Sequence, residues 1–118
     1  MSLKARSSRD VIIRTADLAA AVIFYESTLG FKVSACGEGL FGIETGSITF
    51  YVEEGPAHGP IFEFLVADVA AAKARLLAEG CMLVEEDCSV PRCYVKDPCG
   101  VTFNIGKAST TPAPPVKT

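Results

Sequence analysis

The chain contains no tryptophan and a single histidine, His58, in 118 residues. With one imidazole per chain, neither a histidine-rich metal centre nor a histidine pair for proton relay can be assembled within it. Its five cysteines, Cys36, Cys81, Cys88, Cys93 and Cys99, are odd in number and include no C-x-x-C pair. That pattern argues against a secreted disulfide framework and against a zinc knuckle. No apolar run approaches the roughly eighteen residues of a membrane span, and Met1 to Arg9 has no signal-peptide core. A cytoplasmic protein with no membrane partner is therefore the expectation. Basic clusters are also missing, and the formal net charge is -3. This leaves no electrostatic footprint for nucleic acid.

What the chain does have is an internal repeat. VIIRTADLAAA from Val11 returns as FEFLVADVAAA from Phe62, so Asp17-Leu18-Ala19-Ala20-Ala21 aligns with Asp68-Val69-Ala70-Ala71-Ala72. Each copy is an apolar strand followed by an aspartate that opens an alanine-rich helix. Each helix ends near a glycine, Gly30 or Gly80, suited to a left-handed C-cap. At 49% hydrophobic residues the chain can bury one core, so two modules in one domain are expected, with any site between the halves.

Periodicity fills in the modules. Val11, Ile13 and Thr15 alternate with Asp10, Ile12 and Arg14 as a two-faced strand. Leu18, Val22, Tyr25 and Leu29 recur at helical spacing behind the Asp17 N-cap. Strands follow at Phe31 to Cys36, Leu40 to Glu44 and Ser47 to Glu53, with glycines at the turns. The second copy gives a strand at Ile61 to Val66, a helix at Val69 to Glu79, and strands at Met82 to Glu86, Arg92 to Lys96 and Val101 to Ile105. The fold class is thus α+β, as two tandem βαβββ modules spanning 10–54 and 61–106 of a domain at 10–106. Gly55 to Pro60 reads as the linker, and the Pro/Thr-rich 107–118 as a disordered tail.

The run DLAAAVIFYESTLGFKV, with F-Y-x-x-x-L-G-F at Phe24 to Phe31, and the closing KDPCGVTFNI resemble the glyoxalase, bleomycin-resistance and extradiol-dioxygenase (vicinal oxygen chelate) superfamily. The resemblance covers about Asp10 to Gly106. It implies a cupped mixed sheet with helices on the convex side and the ligand in the concave cup. Metal-using members place His, Gln or Glu on the first and last strand of each module. Here those positions fall on Asp10, Tyr51 (or Phe50 beside it), Ile61 and Asn104. Ile61 has no donor atom, Asn104 offers a neutral carbonyl, and Tyr51 would have to lose a proton from a pKa of about 10. One carboxylate does not make a catalytic centre, so no metal and no other cofactor is expected.

Strand alternation puts Asp10, Ile12, Arg14, Ile61, Glu63 and Leu65 on the cup face, and Val11, Ile13, Phe62, Phe64 and Val66 towards the helices. Tyr51, Arg92, Tyr94, Thr102 and Asn104 complete the candidate ligand-binding set. The expected cup is mostly apolar with a few charges, and an Arg14–Glu63 cross-strand ion pair is an equally plain use of those residues. The resulting expectation is a metal-free protein that sequesters a small apolar or aromatic molecule. By resemblance to the bleomycin-binding branch, it would be a homodimer. The alternative is an enzyme: a divergent lyase or dioxygenase with relocated metal ligands, or a metal-free catalyst using Glu63 or Asp10 as acid and base.

Overall fold

A computed structural model describes residues 2–89 and 92–108. The strands are β1 (Arg6–Thr15), β2 (Lys32–Gly37), β3 (Leu40–Glu44), β4 (Thr49–Glu54), β5 (His58–Val66), β6 (Met82–Asp87), β7 (Arg92–Lys96) and β8 (Thr102–Lys107). Helix α1 (Leu18–Ile23) continues as a π-helical turn over Phe24–Thr28, and α2 covers Val69–Ala78. All eight strands form one mixed sheet in the order β2-β3-β4-β1-β5-β8-β7-β6. Each module contributes four neighbouring strands. Within a module the first strand runs parallel to the last, β1 with β4 and β5 with β8, while β1 and β5 meet antiparallel at the centre. The two βαβββ modules expected from the repeat are therefore present and related by a pseudo-twofold.

The repeated aspartates perform the same task twice. Asp17 Oδ1 accepts the Ala20 N–H at 3.0 Å, and Asp68 Oδ1 accepts the Ala71 N–H at 3.0 Å. Each supplies a partner to one of the otherwise unsatisfied donors of a helix start. The copies differ by one residue, since Asp17 to Gly30 is longer by one than Asp68 to Gly80. The π turn in module 1 absorbs that extra residue. Both glycines adopt positive φ, +78° and +102°, and end their helices as expected.

Hydrophobic alternation fixes which face each helix covers. Val66, Ala72, Cys93, Val95, Phe103 and Ile105 form the core under α2, joined by Phe64, Val69 and Leu76. Ile43 and Val52 are fully buried in module 1, and Tyr25 packs towards Phe50 with ring centroids 6.0 Å apart. The opposite, concave face stays open. All five cysteines are free.

The central pairing moves some boundaries. β1 begins at Arg6, paired with Leu65, and β5 begins at His58, paired with Arg14. The expected linker therefore shrinks to 55–57, because each long central strand offers the other backbone partners that turn-rich composition does not reveal. Lys107 ends β8, Ala108 N–H donates to the Val66 carbonyl at 2.7 Å, and the rest of the expected tail, 109–118, lies outside the described residues. No helix among the described residues is long and apolar enough to cross a membrane. With Ile43 at 0% exposure, Ile43→Ala should cost about 2–4 kcal/mol, read as a lower urea midpoint at unchanged slope.

Candidate ligand cleft

The concave face divides into two unlike halves. In the module 2 half, Arg14 from β1 makes a bidentate pair with Glu85 of β6, Nη1 to Oε1 at 2.9 Å and Nη2 to Oε2 at 2.8 Å. Arg92 from β7 donates to the same Glu85 Oε2 at 2.8 Å and to Glu53 Oε2 of β4 at 3.1 Å. Both guanidiniums lie over the Tyr94 ring, at 5.5 and 5.3 Å from its centroid. Tyr94 is buried beneath them, and burial raises its phenol pKa. The hydrogen bonds from Arg14, partly opposed by burial and reinforced by Arg92, hold the Glu85 carboxyl down at about 2. Two arginines and two glutamates cancel, so this half of the cup is filled and neutral.

The module 1 half is open and carries unbalanced charge. Asp10, Ile12, Leu40, Tyr51, Glu53, Glu63 and Arg92 line a cleft of about 170 Å³. Burial, with the neighbouring Glu63 charge second, raises the Asp10 carboxyl above its ordinary value. The Asp10 charge, followed by burial, does the same to the Tyr51 phenol. No hydrogen bond reaches the Asp10 carboxylate among the described residues. Glu63 is held from one side, as Asn104 Nδ2 donates to its Oε2 at 3.0 Å. Asn104 has no freedom to turn, because its Oδ1 accepts the Cys93 backbone N–H at 2.8 Å.

The repeat shows how this imbalance arose. Glu85 pairs with Tyr94 across β6 and β7, and the corresponding pair across β2 and β3 is Ser34 with Gly42. Two large side chains in one half stand against two small residues in the other. A Cβ built on Gly42 would lie 2.9 Å from Cys36 Sγ and 3.7 Å from the Tyr51 ring. The Cys36 thiol therefore occupies the place that a side chain at Gly42 would take, beside the tyrosine wall of the cleft.

Of the residues expected in the cup, the cleft brings together Asp10, Ile12, Tyr51, Glu63 and Arg92, with Asn104 behind Glu63. Tyr51 rather than Phe50 takes the fourth-strand position on this face. Ile61 is fully buried in the floor. Arg14 and Tyr94 belong to the charge network, while Leu65 and Thr102 do not line the cleft. The cross-strand pair of Arg14 with Glu63 does not form, because the β1–β5 register sets Arg14 opposite His58 and its guanidinium reaches Glu85 instead. The cup carries more charge than the few groups expected: Asp10, Glu53, Glu63 and Arg92 line it beside Ile12, Leu40 and Tyr51. Leu40, Glu53 and Glu85 were not anticipated from the sequence; Glu85 faces Tyr94 only because the register shifts between Leu83 and Glu85.

The sequence model of the Glyoxalase/Bleomycin resistance protein/Dioxygenase superfamily matches residues 9–105, and the chain belongs to that superfamily. No curated protein matches it. Among solved structures, it resembles an extradiol ring-cleaving dioxygenase from B. fuscum at TM-score 0.63 and 24% identity, over 89% of this chain and 33% of that one. A hypothetical protein from Bacillus halodurans C-125 matches at TM-score 0.62 and 12% identity, over 94% and 99% of the two chains. A superfamily member from Vibrio splendidus 12B01 matches at 0.57 and 14%, over 89% and 100%. These likenesses establish the fold, and the chain spans about a third of the dioxygenase's length.

The residues at the metal positions of the fold do not suit a metal ion. Ile61 is apolar, the Asn104 oxygen is already taken by Cys93 N–H, and Tyr51 is pushed away from its phenolate by Asp10. No group of three or more His, Cys, Asp or Glu converges among the described residues.

Glu85 gives this site a pH signature. Its folded-state pKa of about 2 lies below the ordinary 4.5, so its stabilisation is present above pH 4.5 and is lost as the pH falls towards 2. With a third of the side chain exposed, solvent screening reduces the effect to about 1–2 kcal/mol. Glu85→Gln should lose that amount at pH 7 and show a flatter stability profile between those pH values by urea denaturation.

Proposed function

We infer that the protein binds a small organic cation in the module 1 half of its cup, without a metal, the charged group meeting Asp10 and Glu63 and an apolar or aromatic body resting on Tyr51, Ile12 and Leu40. The observation that carries this reading is the charge imbalance. Arg14 and Arg92 are consumed by Glu85 and Glu53, while Asp10 and Glu63 press against one another without a basic partner of comparable quality. A cation between them removes the repulsion and replaces lost hydration with charge-assisted hydrogen bonds. The cleft, about 170 Å³, is small beside ligand sites of roughly 300–1,000 Å³. It accommodates the charged end of a ligand, with the remainder projecting out of the cleft.

A homoprotocatechuate 2,3-dioxygenase of similar fold has been crystallised with 3,4-dihydroxyphenylacetate. An aromatic acid of that kind would be repelled by this cup, so charge separates the two readings. Acid–base catalysis retains one supporting observation, the raised Asp10 carboxyl. Asn104, however, holds the Glu63 carboxyl in one position through Oε2.

Isothermal titration with benzylamine, benzyl alcohol and benzoate tests the proposal. The amine should bind, and Asp10→Asn or Glu63→Gln should weaken it about 10–100-fold, the loss of one charge-assisted contact. Affinity should also fall as the pH is lowered through the range where Asp10 takes up its proton, since the raised pKa favours the neutral carboxyl that no longer attracts a cation. Benzoate binding at least as tightly as benzylamine would remove the reading.

A further inference from the structure

The duplication supplies an internal comparison at a second place, the loop before the last strand of each module. In module 1 that loop is covered by Arg9, whose Nε donates to the Ser47 carbonyl at 3.2 Å and whose Nη2 donates to the Gly46 carbonyl at 3.0 Å. Val11 pairs with Phe62 across the pseudo-twofold, which puts Pro60 where module 1 has Arg9. Proline has no side chain to send across a loop. Both loops are closed by a backbone bond, Thr45 N–H to the Ile48 carbonyl at 3.1 Å across two residues and Asp97 N–H to the Val101 carbonyl at 2.9 Å across three, so counterparts are counted back from the last strand. Yet the carbonyls of Cys99 and Gly100, counterparts of Gly46 and Ser47, accept no hydrogen bond among the described residues.

An open groove of about 390 Å³ lies there, lined by His58, Gly59, Pro60, Phe62, Val101 and Thr102 among others. Phe62 is 38% exposed where its counterpart Val11 is 5% exposed. Asp97 adds a carboxylate in place of Thr45, and its Oδ1 faces the loop, accepting the Cys99 N–H at 2.9 Å and the Val101 N–H at 3.0 Å. Lys96 next to it points to the opposite sheet face by strand alternation.

We propose that this groove is a second binding site, which takes a small alkylguanidinium compound in the position that Arg9 occupies in module 1. The planar cation donates to the Cys99 and Gly100 carbonyls, and the alkyl stem lies on Phe62 and Val101. A guanidinium presents two N–H groups in a fixed fork, which an ammonium does not, so the site discriminates between them. The groove volume suits a small ligand rather than a folded partner.

The test is a titration of the ¹⁵N-labelled full chain with agmatine, using n-butylamine as the ammonium control, followed by amide chemical shifts. The expected result is a saturable shift of Gly59, Gly100 and Val101 with half-saturation at about 1–10 mM, and at least tenfold weaker binding of n-butylamine. Arg9→Ala, which uncovers the module 1 loop, should add agmatine-dependent shifts at Gly46 and Ser47. Groove amides that do not move, agmatine shifts confined to Tyr51 and Glu63 in the cup, or equal binding of n-butylamine would each overturn the proposal. A Gly-Arg-Gly peptide binding tenfold tighter than agmatine would overturn the small-molecule assignment in favour of a polypeptide. Failure here leaves the cup reading untouched, because the two sites report through different amides.

Discussion

Glu85, gripped by two guanidiniums over a buried tyrosine, is the contact on which the concave face depends. It sits on β6, at the far edge of the sheet, yet its two partners come from β1 at the centre and β7 beside it. The bidentate bond to Arg14 therefore spans the two modules, and Arg92 closes the circuit back to Glu53 of module 1. Partly buried charges are stabilising only when each is fully answered. Here each of the four has at least one opposite partner, and Tyr94 presents a ring face to both cations. The arrangement ties β6 and β7 to the centre of the sheet and fills that half of the cup with paired charge.

The other half derives its character from what the first half consumes. With both arginines engaged, nothing of equal strength is left for Asp10 and Glu63, and Ser34 and Gly42 stand where module 2 has Glu85 and Tyr94. Asn104 shows the same economy on a smaller scale. Its oxygen satisfies a backbone N–H and its nitrogen satisfies Glu63, so a position that could offer a metal a ligand instead holds a carboxylate in place. A duplicated module thus yields two chemically different halves through a few substitutions at equivalent strand positions, and function follows those positions rather than the fold.

Much of this was legible in the sequence because the signals were local or repeated. Aspartate caps, terminal glycines and period-2 alternation in β1 and β5 gave the modules and the facing of Asp10, Ile12 and Glu63. The family phrase at Phe24 to Phe31 supplied the cup. What was not legible depended on long-range geometry. Arg14 bonds to a residue 71 positions away, and nothing local to either residue signals it. β6 opens on Met82-Leu83-Val84, an apolar run without alternation, and its register shifts between Leu83 and Glu85, which is why Glu85 was missed. The π turn was hidden as well, although the one-residue difference between the two helices was its trace.

The central claim is that the cup operates on carboxylates and hydrogen bonds rather than on a metal. Its most direct test is the metal stoichiometry of the purified chain, measured by plasma mass spectrometry after equilibration with zinc, nickel, manganese or iron(II) and removal of free ion. The account predicts far less than one equivalent of any of them, unchanged by Asp10→Asn. One equivalent of a single metal, lost in Asp10→Asn, would contradict it and place the chemistry of the cup on that ion.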